Sequence, residues 1–190
     1  MRLLDQILEF NRRFVENKDY EKFQTSKFPN KKLVILSCMD TRLVELLPNA
    51  MNVKNGDVKI VKNAGAIVSH PFGSIMRSIL VAVYELKAEE VCIVGHYDCG
   101  MKSLNSDALL AKAMDRGISK ETISALSGAG IDLSTWLQNV NSIEESVTSS
   151  VQTIKRHPLF PNDVPVHGLV IDPETGRLDK IIDGYDQLDR

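Results

Sequence analysis

The chain has 190 residues, 43% of them hydrophobic and 25% charged, with a formal net charge of −2. That length suits a single domain spanning residues 1–190, with a sizeable core. The near-neutral balance, with no dense Lys/Arg run, excludes the basic patch of a nucleic-acid binder.

The apolar start Met1-Arg2-Leu3-Leu4 meets Asp5 at once and Glu9 soon after, so it lacks the apolar core of a secretory signal. No run approaches the roughly 20 apolar residues of a membrane span. No membrane association and a cytoplasmic location are the expectations. Residues 1–18 place Leu3, Leu4, Ile7, Leu8, Phe10 and Phe14 at helical spacing. They predict an amphipathic helix within an N-terminal arm, residues 1–30. Its apolar stripe needs a cover, either this core or a partner subunit.

Leu33-Val34-Ile35-Leu36 reads as a buried strand ending at Ser37-Cys38. Residues 43–51 predict a short helix broken at Pro48. Asn55-Gly56 is a turn into a second strand, Val58 to Val61, which runs into the small-residue turn Asn63-Ala64-Gly65-Ala66. Residues 72–87 predict a helix with Ile75, Ile79, Leu80, Val83 and Leu86 on one side. Val91 to Val94 is a third buried strand, ending at Gly95-His96. Residues 100–140 read as helical fragments loosened by Gly117, Gly128 and Gly130. Ser142 with Glu145 is a capping-box pattern opening a helix through His157. After Pro158, Pro161 and Pro165, Val166 to Ile171 forms a fourth strand, and Leu178 to Ile182 pairs back on it as a hairpin. The expected fold class is α/β. It has three layers: a mostly parallel five-stranded sheet with one antiparallel edge strand, helices on both faces, and the N-terminal helical arm.

Three cysteines, Cys38, Cys92 and Cys99, make an odd count with no C-x-x-C pair. That argues against a disulfide framework and against a thioredoxin-like redox motif. In an open α/β sheet, chemistry collects at the carboxyl ends of the strands. The first strand ends in Cys38-Met39-Asp40-Thr41-Arg42, the third in His96-Tyr97-Asp98-Cys99-Gly100. Neighbouring strands would bring Cys38, His96 and Cys99 together, a donor set suited to zinc. Asp40 is near enough in sequence to be a fourth ligand. Arg42, two residues on, competes for Asp40 through paired hydrogen bonds. When Arg42 holds Asp40, the fourth metal position opens to water. Zinc lowers the pKa of its water from about 15.7 to about 7, and the hydroxide attacks an electrophilic carbon. Asp40 and Arg42 are thus the candidate catalytic pair, and Cys38, Asp40, His96 and Cys99 the candidate metal ligands.

These two segments resemble the paired signatures of the β-class carbonic anhydrases, and Asn63-Ala64-Gly65-Ala66 resembles that family's small-residue segment. The likeness runs in order over nearly the whole chain, and the short length is similar to the compact microbial branch. It implies one Zn2+ per chain and reversible hydration of carbon dioxide to bicarbonate and a proton. It also implies a homodimer or higher assembly in which the N-terminal helix embraces the partner. Two positions depart from the pattern: Thr41 where Ser is frequent, and Lys62 where Arg is frequent. Thr41 keeps the hydroxyl, whereas Lys62 loses any two-pronged contact. The single Trp, Trp136, matches no regulatory bicarbonate site.

Singly, each residue has a plainer explanation. Cys38 or Cys99 alone reads as a core filler, His96 alone as a structural histidine, Asp40–Arg42 alone as a surface ion pair. Cys92 reads as core, and His157 and His167 carry no role. His70 reads as a solvated or helix-start residue ahead of a proton relay, and Asp98 as a turn-former or a support for the ligands. Two other activities stay open: hydrolysis of a carbon dioxide analogue such as carbon disulfide, or a zinc-stabilised binding protein without catalysis.

Overall fold

Residues 1–188 are described by a computed structural model. Five strands form one sheet in the order β2-β1-β3-β4-β5. They are β1 (Leu33–Cys38), β2 (Val58–Asn63), β3 (Glu90–His96), β4 (Val166–Ile171) and β5 (Leu178–Ile182). β2, β1, β3 and β4 run parallel, and β5 turns back antiparallel to β4. The expected α/β architecture, including the antiparallel edge strand, is the one observed.

The central strands explain the hydrophobic runs. Val34, Ile35 and Leu36 of β1 and Val91 to Val94 of β3 are buried, because neighbours flank them on both edges and helices cover the faces. β2, at the edge, keeps Lys59 and Lys62 and is only half-buried. The helices are α1 (Leu3–Glu16), α2 (Leu43–Ala50), α3 (Ser74–Tyr84), α4 (Ser106–Asp115), α5 (Lys120–Gly128), α6 (Leu133–Trp136) and α7 (Ile143–Lys155). α7 starts at the expected cap, where the Ser142 hydroxyl oxygen accepts the Glu145 N–H at 3.2 Å, but the hydroxyl donates to Glu144 at 2.8 Å in place of a full capping box, and the helix ends at Lys155, short of the expected His157. It buries Ile143, Val147, Val151 and Ile154 over β3 and β4. The fit is close at Gly95, where a methyl group would lie 2.8 Å from both Ile143 and Val147.

Other helix ends also differ from expectation. Pro48 does not break α2, which continues to Ala50. Proline sits here in the last turn, so its missing N–H deprives only one carbonyl of its helical partner. The Met51 N–H closes the helix on the Leu47 carbonyl at 3.0 Å, and the Asn49 side chain donates to the Glu45 carbonyl at 2.7 Å. The helix expected over 72–87 is shorter, because Leu86 and Ala88 instead donate to carbonyls of α3 as the chain turns into β3.

α1 buries none of its own residues. Leu3 is 72% and Phe10 64% exposed, so the apolar stripe lies uncovered on the single chain. Phe14 is half-buried between Phe10 and Phe23, with ring centroids 6.4 and 6.3 Å away. No helix among the described residues is long and apolar enough to cross a membrane.

Candidate metal centre

β1 and β3 are hydrogen-bonded neighbours in register, with Ser37 beside Val94. Their last residues, Cys38 and His96, therefore emerge side by side. The chain after His96 reverses at Asp98, whose φ of 55° is left-handed, and this returns Cys99 toward His96. The Cys38, His96 and Cys99 donor atoms all lie within 4.8 Å of one another, and all three residues are buried.

The geometry suits a tetrahedral ion. Two zinc–sulfur bonds of about 2.3 Å at a tetrahedral angle put the sulfurs about 3.8 Å apart. The Cys38 and Cys99 sulfurs are 3.9 Å apart. His96 Nδ1 lies 2.7 Å from the Tyr97 carbonyl, to which it donates. Nε2 is then the lone-pair nitrogen, and it is buried without a hydrogen-bond partner. A buried orphan of this kind calls for an explanation, and a metal beside two sulfurs supplies one.

The electrostatics point the same way. Burial raises the Cys38 thiol, but His96 and the Gly65 and Asp40 backbones outweigh it and bring Cys38 down to about 7. The Gly65 N–H donates to the Cys38 sulfur at 3.3 Å. Cys99 shifts upward, chiefly through burial and also through the Cys38 charge. Two adjacent thiolates need a cation between them to ionise together. For His96, burial disfavours the charged form, yet Cys38, the Tyr97 carbonyl and the Asp40 charge outweigh it and shift the ring upward.

Asp40 lies beside this group but is turned toward Arg42. Arg42 donates from Nε to Oδ1 at 3.1 Å and from a terminal nitrogen to Oδ2 at 2.8 Å, and its backbone N–H reaches Oδ1 at 2.9 Å. The guanidinium, ahead of the opposing effect of burial, holds the Asp40 carboxyl down at about 2. Oδ2 remains 3.8 Å from His96 Nε2. The other face of Arg42 is held by Asp98, through its carboxylate at 3.0 Å and its carbonyl at 3.2 Å. A cavity of about 570 Å³ opens over the donors, with Ala64, Met101 and Leu104 on its apolar side.

The carbonic anhydrase family model matches residues 33–178, which contain every residue of this centre. β-Carbonic anhydrase isoform I of Trichomonas vaginalis superposes with a TM-score of 0.88 at 35% identity, covering 97% of this chain and all (100%) of that one. This chain belongs to the β-carbonic anhydrase family. It is 63% identical over 185 residues to YtiB of Bacillus subtilis, across 97% of this chain and 99% of YtiB, a protein to which the carbonic anhydrase name is attached provisionally. A carbon disulfide hydrolase of Acidithiobacillus thiooxidans is 27% identical over 158 residues, covering 78% of this chain and 76% of its own.

Other residues fall outside the β-carbonic anhydrase centre. Cys92 is buried in β3, and burial followed by the Glu90 charge pushes its thiol up to about 12, a protonated filler. His70 does not line the cavity; its Nδ1 accepts the Phe72 N–H at 3.0 Å. His157 packs on Phe72 with ring centroids 5.0 Å apart. His167 lies against Tyr185 near the start of β4, the far end of the sheet. Trp136 is 73% exposed on α6. Lys62 donates at 3.4 Å to the Cys38 carbonyl, a single contact where two were excluded. Sequence reading missed the Gly65 amide on the Cys38 sulfur. The available signal was a glycine in a small-residue turn after the neighbouring strand.

Proposed function

We propose that this protein catalyses the reversible hydration of carbon dioxide to bicarbonate and a proton, with one zinc ion held by Cys38, His96 and Cys99. The observation that carries this reading is the buried, unpartnered His96 Nε2 beside two sulfurs 3.9 Å apart, at the floor of an accessible cavity. Zinc bound there supplies a Lewis acid that lowers the pKa of water toward about 7. Asp40 and Arg42 form the gate. Arg42 holds the Asp40 carboxylate, which would otherwise compete with Cys38, His96 and Cys99 for the ion. As an ionised group, Asp40 accepts a hydrogen bond at the reacting centre and orients its donor. Gly65 stabilises the Cys38 thiolate through its N–H. Ala64, Met101 and Leu104 offer an apolar wall suited to carbon dioxide, which has no charge and no hydrogen-bond donor.

The uncovered stripe of α1 supports a homodimer or higher assembly in which each arm lies on its partner. Three buried cysteines, none in a disulfide, fit a reducing cytoplasm.

The test is metal content and carbon dioxide hydration by stopped flow on one preparation, with carbon disulfide assayed in parallel. One zinc per chain and a hydration rate that rises with pH support the proposal. Zinc with carbon disulfide turnover alone moves the assignment to the hydrolase. Zinc with neither activity moves it to a binding protein.

A further inference from the structure

The tautomer and aim of His96 depend on the carbonyl of Tyr97, the acceptor for Nδ1 at 2.7 Å. That carbonyl precedes Asp98, whose left-handed φ of 55° turns the chain back toward Cys99. Two contacts fix Tyr97. Its N–H donates to the Ile171 carbonyl at 3.1 Å, extending the β3–β4 ladder one step beyond His96. Its hydroxyl donates to Asp179 Oδ2 at 3.0 Å. Asp179 lies on β5 opposite Val170 of β4, so the ring of Tyr97 spans the end of β4 to reach the edge strand. Arg177 donates to the same Asp179 oxygen at 3.1 Å and fixes the acceptor in turn. Tyr97 is thus tied at its backbone and at the tip of its ring, with the ligand's hydrogen-bond partner between.

We propose that Tyr97 and Asp179 are positioning residues for the metal ligand His96, transmitting the register of the β4–β5 hairpin to the imidazole. This inference rests on the metal-centre reading, and it concerns metal affinity whatever the substrate. Partners that orient a metal-bound histidine are worth about 10- to 100-fold in affinity. Since Tyr97 acts through a carbonyl that persists in every variant, the lower end applies.

The experiment is Zn2+ affinity by competition with a chromophoric chelator, and the visible spectrum of the Co2+-loaded protein, for Tyr97→Phe, Asp179→Ala, Asp179→Asn and the Tyr97→Phe/Asp179→Ala pair. Tyr97→Phe keeps the ring and removes only the hydroxyl, so it tests the brace even if Asp179→Ala unfolds. The expected result is Zn2+ binding weakened about tenfold in Tyr97→Phe and in Asp179→Ala, with an altered Co2+ spectrum. The double variant should be no weaker than Asp179→Ala alone, because both changes remove the same Tyr97–Asp179 hydrogen bond. Asp179→Asn, which keeps an acceptor, should stay near the parent. Unchanged Zn2+ affinity in Tyr97→Phe, or additive losses in the pair, overturns the brace. A parent that takes up no Zn2+ overturns the metal-centre reading and the brace with it. A parent that binds Zn2+ but hydrates no carbon dioxide overturns only the proposed reaction.

Discussion

Gly65→Ala tests whether the turn after β2 supports the metal centre. Gly65 has φ 79°, and a methyl group there would lie 2.8 Å from Ile67 Cδ1 and 2.9 Å from Met101 Cγ. A side chain in the left-handed region costs about 1–2 kcal/mol. Overpacking adds about 1–3 kcal/mol, toward the lower end because flexible side chains can give way. The expected loss is therefore about 2–4 kcal/mol, which lowers the unfolding midpoint of a chain this size by about 5–15 °C. The same shift draws the Gly65 N–H away from the Cys38 sulfur, now 3.3 Å distant. The thiol then loses one of the groups that lower it, and Zn2+ affinity near neutral pH should fall about tenfold. Gly100→Ala is the control: it lines the same cavity, but nothing lies within 4 Å of its added methyl and no left-handed φ is required. Its stability should stay within about 0.5 kcal/mol of the parent. Calorimetry on the metal-free proteins and chelator competition for Zn2+ read both effects. A Gly65→Ala variant that melts with the parent and binds Zn2+ equally well refutes the reasoning.

Arg42→Ala should retain one Zn2+ per chain yet lose carbon dioxide hydration by about 100-fold, since it releases Asp40 to compete for the metal; unchanged turnover sinks the gate. Asp40 titrates at about 2 in the folded chain, below its ordinary value of 3.8. Its contribution to stability is present above that ordinary value and disappears as pH falls through about 2. Carboxyl carbon NMR of the metal-free protein should accordingly place the Asp40 midpoint clearly below 3.8, and a midpoint at or above 3.8 contradicts the pairing with Arg42. In the metal-free protein Cys38, lowered to about 7, should alkylate first, and Cys92, raised to about 12, should resist; Zn2+ should protect Cys38. Peptide mapping after brief iodoacetamide treatment decides this, and preferential labelling of Cys92 refutes it. Deleting residues 1–16 removes a helix with no buried residue, so the sheet should persist by circular dichroism while the proposed homodimer should fall to single chains in sedimentation; an assembly state unchanged from the parent argues against the arm.

The sheet was readable because its central strands are hydrophobic throughout. Val34 to Leu36 and Val91 to Val94 lack polar alternation, which fits strands covered on both faces and flanked on both edges. The donor group was readable for a related reason. Cysteine and histidine placed abruptly at the ends of such strands stand out against the apolar run, and adjacency of β1 and β3 converts two separate motifs into one cluster. Pro48 misled because a proline's effect depends on how many turns follow it, a length set by packing of Leu43 and Leu47. The supports around the donors escaped for a different reason, being long-range in sequence. Gly65 reaches Cys38 across 27 positions, and Tyr97 reaches Asp179 across 82. Neither contact leaves a local period or spacing, since each arises only after the strands take their register. Asp98 is intermediate. Its place between His96 and Cys99 signalled a turn, and its left-handed φ of 55° fits that signal. Its grip on Arg42 spans 56 positions and depends on β1 lying beside β3. The donor atoms of this centre are thus written in short motifs, while their orientation is written in the sheet order that joins those motifs.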